Sequence, residues 1–236
     1  MLESFAAGFG VLIGYFIVCA TAALVFRRFV PMHKEVFRKT LHLILLGSLP
    51  IFLYAFSNWW MAVFASLLFV VLVFPILAVA ERINGYSELL TERKGGEIKN
   101  SLVIVFGMYA VIIAVCWGLL GQQWLALACV YAWGFGDAAA ALVGKKYGRH
   151  FLEGKTIEGR KSVEGTLAMF VVSFISVLLI LLVFADLVPV GYLVIPVLVA
   201  AASALVELYT PNGYDTLTCP LTAALIILPL VNVLGA

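Results

Sequence analysis

The chain has 236 residues, 64% of them hydrophobic and 12% charged, with a formal net charge of +2. Soluble domains carry roughly 25% charged residues, so a large soluble domain is excluded, and nothing in so small a charge points to nucleic acid. The apolar residues run in blocks reaching the ~20 residues of a bilayer-crossing helix, and the alternating ~10-residue pattern of a membrane barrel is absent.

The fold class that remains is all-α: a polytopic helical membrane bundle of about eight spans, or seven, in one integral membrane domain over residues 1–236. Met1-Leu2-Glu3-Ser4 lacks the basic region of a cleaved signal peptide, so the first apolar run is expected to be retained. The predicted spans are about 4–26, 40–56, 59–80, 101–120, 123–143, 166–186, 189–209 and 219–234. The second and the eighth are short for crossing, and a re-entrant segment is the alternative for each. Ser57-Asn58 and Gly121-Gln122 read as tight helical hairpins.

Every Lys and Arg falls in one of three loops, between spans 1 and 2, 3 and 4, and 5 and 6. With eight spans these share a side, which the positive-inside rule makes cytoplasmic, with both termini opposite. The expected cytoplasmic loops are 27–39, 81–100, 144–165 and 210–218. Cys19, Cys116, Cys129 and Cys219 form no CxxC pair and read as packing residues. His33, His42 and His150 are too scattered for a histidine metal site.

Glu35, Arg38, Lys39 and His42 fall at helical spacing on one side of a helix entering span 2. Asp137 lies inside span 5, about 10 Å from the helix end at Gly144 by helical rise. A carboxylate at that depth costs on the order of 2.5–3.5 kcal/mol on insertion scales, so it requires a partner. Around it stand Gly134, Gly136, Ala140, Ala141, Gly144 and Gly148, which admit a close backbone or a bulky ligand. A buried Asp serving packing alone is the bland alternative to a metal or catalytic role.

The next loop carries Lys145, Lys146, Lys155, Arg160 and Lys161 among glycines, a composition able to surround a polyphosphate. An ordinary basic loop that sets topology and meets anionic lipid is the competing reading. Ser162 is a predicted N-cap of span 6, whose positive dipole end then faces the same anion. Gly154-Lys155-Thr156 is not a Walker loop, because Arg149 stands where the upstream glycine belongs. Glu207 and Asp215 flank a Pro-Asn-Gly turn between spans 7 and 8. Two acids near a basic loop suggest a divalent cation bridging phosphates, since Mg²⁺ takes one or two carboxylates plus phosphate oxygens; an interfacial anchor is the alternative for this cluster and for Glu35 to His42.

These segments, in this order, resemble the CTP-dependent lipid-alcohol kinases: dolichol kinase, phytol kinase and the CTP-dependent diacylglycerol kinase. The resemblance rests on Arg38-Lys39-x-x-His42, on Gly136-Asp137-x-x-Ala140-x-x-x-Gly144-x-x-x-Gly148 with Lys161-Ser162-x-Glu164-Gly165, and on Glu207 with Gly213-x-Asp215-x-x-x-x-Pro220. Thr216 stands where the family usually has Asn. The resemblance implies transfer of the γ-phosphoryl group of CTP to a lipid hydroxyl in the cytoplasmic leaflet, with Mg²⁺ or another divalent cation. Asp137, Lys161 and Glu164 are the expected catalytic group, Asp137 either as metal ligand or as base for the lipid hydroxyl, with Glu207 and Asp215 as second-choice metal ligands. Nucleotide and phosphate binding falls to Lys145, Lys146, Lys155, Arg160, Ser162, Gly165, Arg38, Lys39 and His42. The lipid hydroxyl is expected to enter along the small-residue face of span 5. A cytidylyltransferase making a CDP-lipid and a transporter, whose ion path intramembrane acids also mark, are the alternatives.

Overall fold

The computed structural model describes residues 1–83, 85–92, 95–154, 157, 160–211 and 213–235. Eight of its helical segments are long and apolar enough to cross a membrane, as a polytopic helical bundle requires. They divide between two compact units, Met1–Gly118 and Leu119–Ala236.

In the first unit, α1 (Leu2–Phe29) is followed by α2 (Lys34–Gly47) and α3 (Leu49–Tyr54), which together make the second span of 21 residues. The span is therefore full length. It begins before the predicted residue 40 because the polar turn holding Glu35, Arg38 and Lys39 is already helical. Pro50, at the start of α3, has no N–H to continue the ladder of α2. Side chains take up nearby carbonyls: Tyr15 Oη donates to Ile44 O at 2.8 Å, and Tyr109 Oη to Leu45 O at 2.9 Å. In a bilayer no water would do this.

Helix α4 (Trp59–Ala80), the short α5 (Tyr86–Leu90) and α6 (Glu97–Ile113) complete the unit, α6 passing into a π-helical turn at Ala114–Leu119. Aromatic rings fill its core. Phe69 stacks on Phe106 with centroids 4.8 Å apart, and Phe52 and Tyr109 meet Phe106 edge-on at 5.7 and 5.6 Å.

The second unit packs differently. Helix α7 (Trp124–Tyr147) leads into strand β1 (Phe151–Leu152), which pairs antiparallel with β2 (Lys161–Ser162) and runs into α8 (Val163–Phe184). Helices α9 (Gly191–Tyr209) and α10 (Asp215–Leu234) follow. With 20 residues α10 is long enough to cross, and it starts four residues before the predicted 219, at an acid that favours a helix N-terminus.

Small residues make the α7–α8 seam. A Cβ added at Gly165 would stand 3.0 Å from the Ala140 carbonyl and 3.3 Å from Gly144 Cα. At Gly136 it would strike Ser173 Oγ and reach 3.0 Å from Met169 Cγ. Ser173 Oγ then donates to Ala132 O across the seam at 2.6 Å. The small-residue face of span 5, expected to leave room for a lipid, is thus filled at these positions by α8.

Candidate active site

Local chemistry places each polar group of the second unit. Ser162 is buried and caps α8: its Oγ accepts from Gly165 N at 3.2 Å. The same oxygen lies over Gly144 and Gly148, where added Cβ atoms would come within 3.2 and 2.8 Å of it. The Gly-x-x-x-Gly spacing and the Lys-Ser-x-Glu-Gly segment are therefore two halves of one contact. Glu164, in the first turn of α8, reaches back to His150, whose Nδ1 lies 2.7 Å from Glu164 Oε1. His150 N also donates to that carboxylate, at 3.3 Å. Glu164 thus pins the start of the hairpin, and His150, dismissed in the sequence as one scattered histidine, is its partner.

Lys161 leaves β2 toward the end of α9. Its Nζ lies 2.9 Å from Glu207 Oε1 and also donates to the Glu207 carbonyl. Both side chains are mostly buried, 21% and 14% exposed. In the structure the lysine expected at a phosphate is held by an acid expected at a metal. Lys161 thus joins β2 to Glu207 near the end of α9, and Asp215 opens the next helix, α10.

Two partners were not legible in the sequence. Trp133 Nε1 donates to Asp215 Oδ2 at 3.1 Å, and Cys219 Sγ donates to Ser203 O at 3.6 Å. The only sequence signal for Trp133 is its position four residues before Asp137 on the same helix face.

The other predicted cations are set by their own elements. Lys145 and Lys146 are exposed in the last turn of α7, where they favour the helix dipole. Arg160 is exposed, with its guanidinium 4.0 Å over the Phe151 ring. Lys155 lies outside the described residues. Arg38, Lys39 and His42 belong to α2 of the first unit: Arg38 pairs with Glu35 and lies 3.6 Å from Glu97, and Lys39 is buried.

Among the described residues, no three His, Cys, Asp or Glu side chains stand close enough to hold an ion by themselves. The donor set still fits Mg²⁺, which needs only one or two carboxylates when phosphate oxygens complete its shell. Asp137 and Asp215 would take that part, with Glu207 at the Lys161 ammonium.

No protein-family model matches the chain, and no solved structure matches it significantly. Over 97 residues it is 44% identical to a phytol kinase of Synechocystis sp.. That stretch covers 41% of this chain and 40% of the length of that protein.

Proposed function

We propose that this chain transfers the γ-phosphoryl group of CTP to the hydroxyl of a membrane lipid alcohol, giving a lipid monophosphate and CDP. The observation that carries the reading is the Lys161–Glu207 pair directly beside the capped N-terminus of α8, in the unit that also holds Asp137 and Asp215. The similarity to a phytol kinase supports an alcohol acceptor, with an isoprenoid alcohol as the first candidate. A divalent cation held by Asp137 and Asp215 would supply neutralisation of the charge on the nucleotide phosphates.

Phosphoryl transfer needs positioning and electrostatic stabilisation more than covalent help from the protein. The alcohol oxygen bonds to the γ-phosphorus, the bond from that phosphorus to the β–γ bridging oxygen breaks, and the hydroxyl proton leaves to a carboxylate. The N-terminus of α8 offers backbone N–H groups and a positive dipole to the phosphates. Lys145 and Lys146 add charge from the end of α7. The positive-inside rule puts these groups and the acceptor on the cytoplasmic side. Labelling of a cysteine at position 146 from the opposite side would reverse that orientation.

The test follows the phosphorus. Membranes holding the protein are given Mg²⁺, a candidate alcohol such as phytol, and CTP labelled at the α or the γ position. The γ-label is expected in a lipid monophosphate while the α-label stays in the water phase. Lipid labelled from the α position, dependent on phosphatidic acid, would replace the kinase with a CDP-lipid synthase.

A further inference from the structure

Strands β1 and β2 have two residues each, and a two-stranded hairpin is marginal by itself in water. Lys161 stands in this pair opposite Leu152, so whatever holds the pair also holds the lysine. His150, one residue before β1, meets the start of α8 through its backbone N, its carbonyl and its ring. The backbone N donates to both Glu164 oxygens, at 3.3 and 3.4 Å. The carbonyl accepts from Val163 N at 2.9 Å, and the ring Nδ1 lies 2.7 Å from Glu164 Oε1.

An ionised carboxylate only accepts, so Nδ1 carries the hydrogen of that bond. The ring is 79% exposed, and packing therefore does not account for a histidine here. A lone ion pair at such an exposed position would be worth little. Here the same carboxylate also takes the backbone N–H, and the Val163 bond extends the β1–β2 ladder by one step. Glu164, expected in the catalytic group, is turned back toward the strands with both oxygens on His150.

We propose that His150 is a positioning residue acting through Nδ1: with Glu164 it locks the register of β1 on β2, and so sets Lys161 and the start of α8 where the nucleotide phosphates bind. The part about phosphates rests on the kinase reading, whereas the lock itself does not. Glu164 is then a positioning residue as well, one step removed from the reacting atoms.

The experiment uses the full-length chain in lipid nanodiscs and replaces His150 in three ways. Asparagine carries an amide N–H at the place of Nδ1, glutamine carries its amide at the place of Nε2, and leucine has neither. His150→Leu and His150→Gln are expected to raise the KM for CTP about 10-fold with kcat within about 2-fold, the scale of one hydrogen bond to a charged group. His150→Asn is expected to stay within about 2-fold of the wild type in both. Hydrogen exchange of the Val163 amide is read alongside and needs no turnover. It is expected to quicken about 10-fold in the leucine and glutamine variants and to stay near the wild-type rate in the asparagine variant. Recovery by glutamine instead of asparagine would show the ring acting through Nε2 and overturn the proposal. An unchanged KM in His150→Leu, or the same Val163 exchange in all the variants, would overturn it too. Should His150→Leu fail to fold, the asparagine and glutamine variants, both polar, decide by themselves. A wild-type protein that labels no lipid from γ-labelled CTP would remove the kinase reading, and the exchange rates would still decide whether His150 locks the strands.

Discussion

The two units differ in packing and in where their ion pairs stand. In the first, acids and bases pair within the unit: Glu35 and Glu97 with Arg38, and Glu81 with Lys99. Its helices are spaced by aromatic rings, Phe69 and Phe106 at the α4–α6 contact. In the second, small residues draw α7 and α8 together, and Lys161 pairs with Glu207. Such pairs stabilise the polar end of a membrane bundle. In the second unit, the mostly buried Lys161–Glu207 pair stands directly before the capped N-terminus of α8.

The largest effect that would test this contrast comes from removing one charge in each unit. Asp137→Asn keeps the side-chain shape and is expected to lower turnover on the order of 10³-fold, as loss of a key transition-state group does. Glu97→Gln, at an acid that shares Arg38 with Glu35, is expected to cost less than about 10-fold. The γ-label assay on matched amounts of folded protein decides it, and near-normal activity of Asp137→Asn would remove the acid from the site.

The second effect concerns the pair between Lys161 and Glu207. Breaking a mostly buried pair leaves the other charge without compensation, so Lys161→Met is expected to destabilise the protein by about 3 kcal/mol. Adding Glu207→Gln to Lys161→Met should restore much of that stability while activity stays low. Thermal unfolding in detergent reads the first, and the label assay reads the second. If the double variant is no more stable than the single one, the ion pair is not what joins β2 to α9.

The third effect is steric. Gly165→Leu is expected to cost about 1–3 kcal/mol or more, because its first carbon already meets the Ala140 carbonyl at 3.0 Å. Gly107, on α6 of the first unit, has nothing within 4 Å of an added Cβ, so Gly107→Leu should change stability by less than about 0.5 kcal/mol. Equal tolerance at both positions would show that the seam does not depend on close approach.

Much of this was legible in the amino-acid sequence, and the limits have physical causes. Apolar runs identify the eight crossing segments because burying polar backbone in lipid permits little else. Helix ends were misjudged where polar residues are helical, as at Lys34–Lys39 and at Asp215. The Ser162 cap and the small-residue pattern around Asp137 follow from local rules and stand where expected. The partners of Lys161 and Asp215 lie 46 and 82 residues away in the chain, and no local rule reaches that far. A two-residue strand pair also leaves no periodic signal, which is why the hairpin that sets Lys161 was unforeseen.

The smallest effect compares two helix caps. Ser162 Oγ accepts from Gly165 N at the start of α8, and in the first unit His33 Nδ1 accepts from Glu35 N at 3.3 Å at the start of α2. Removing a serine cap costs about 1 kcal/mol, whereas glycine in its place costs only a few tenths. Ser162→Ala should therefore lower stability measurably, Ser162→Gly should recover most of the loss, and His33→Ala, at an exposed position, should do less than Ser162→Ala. The glycine variant separates two roles of the hydroxyl. A hydroxyl that only caps the helix leaves the KM for CTP within about 2-fold in Ser162→Gly, because the α8 N-terminus is still formed and still directs its dipole outward. A hydroxyl that also donates to a phosphate raises that KM about 10-fold with stability intact, since a hydrogen bond to a charged group is worth about 1.5–3 kcal/mol. The contacts favour the first outcome, because Ser162 Oγ is buried against Gly144 and Gly148 and directed into the seam.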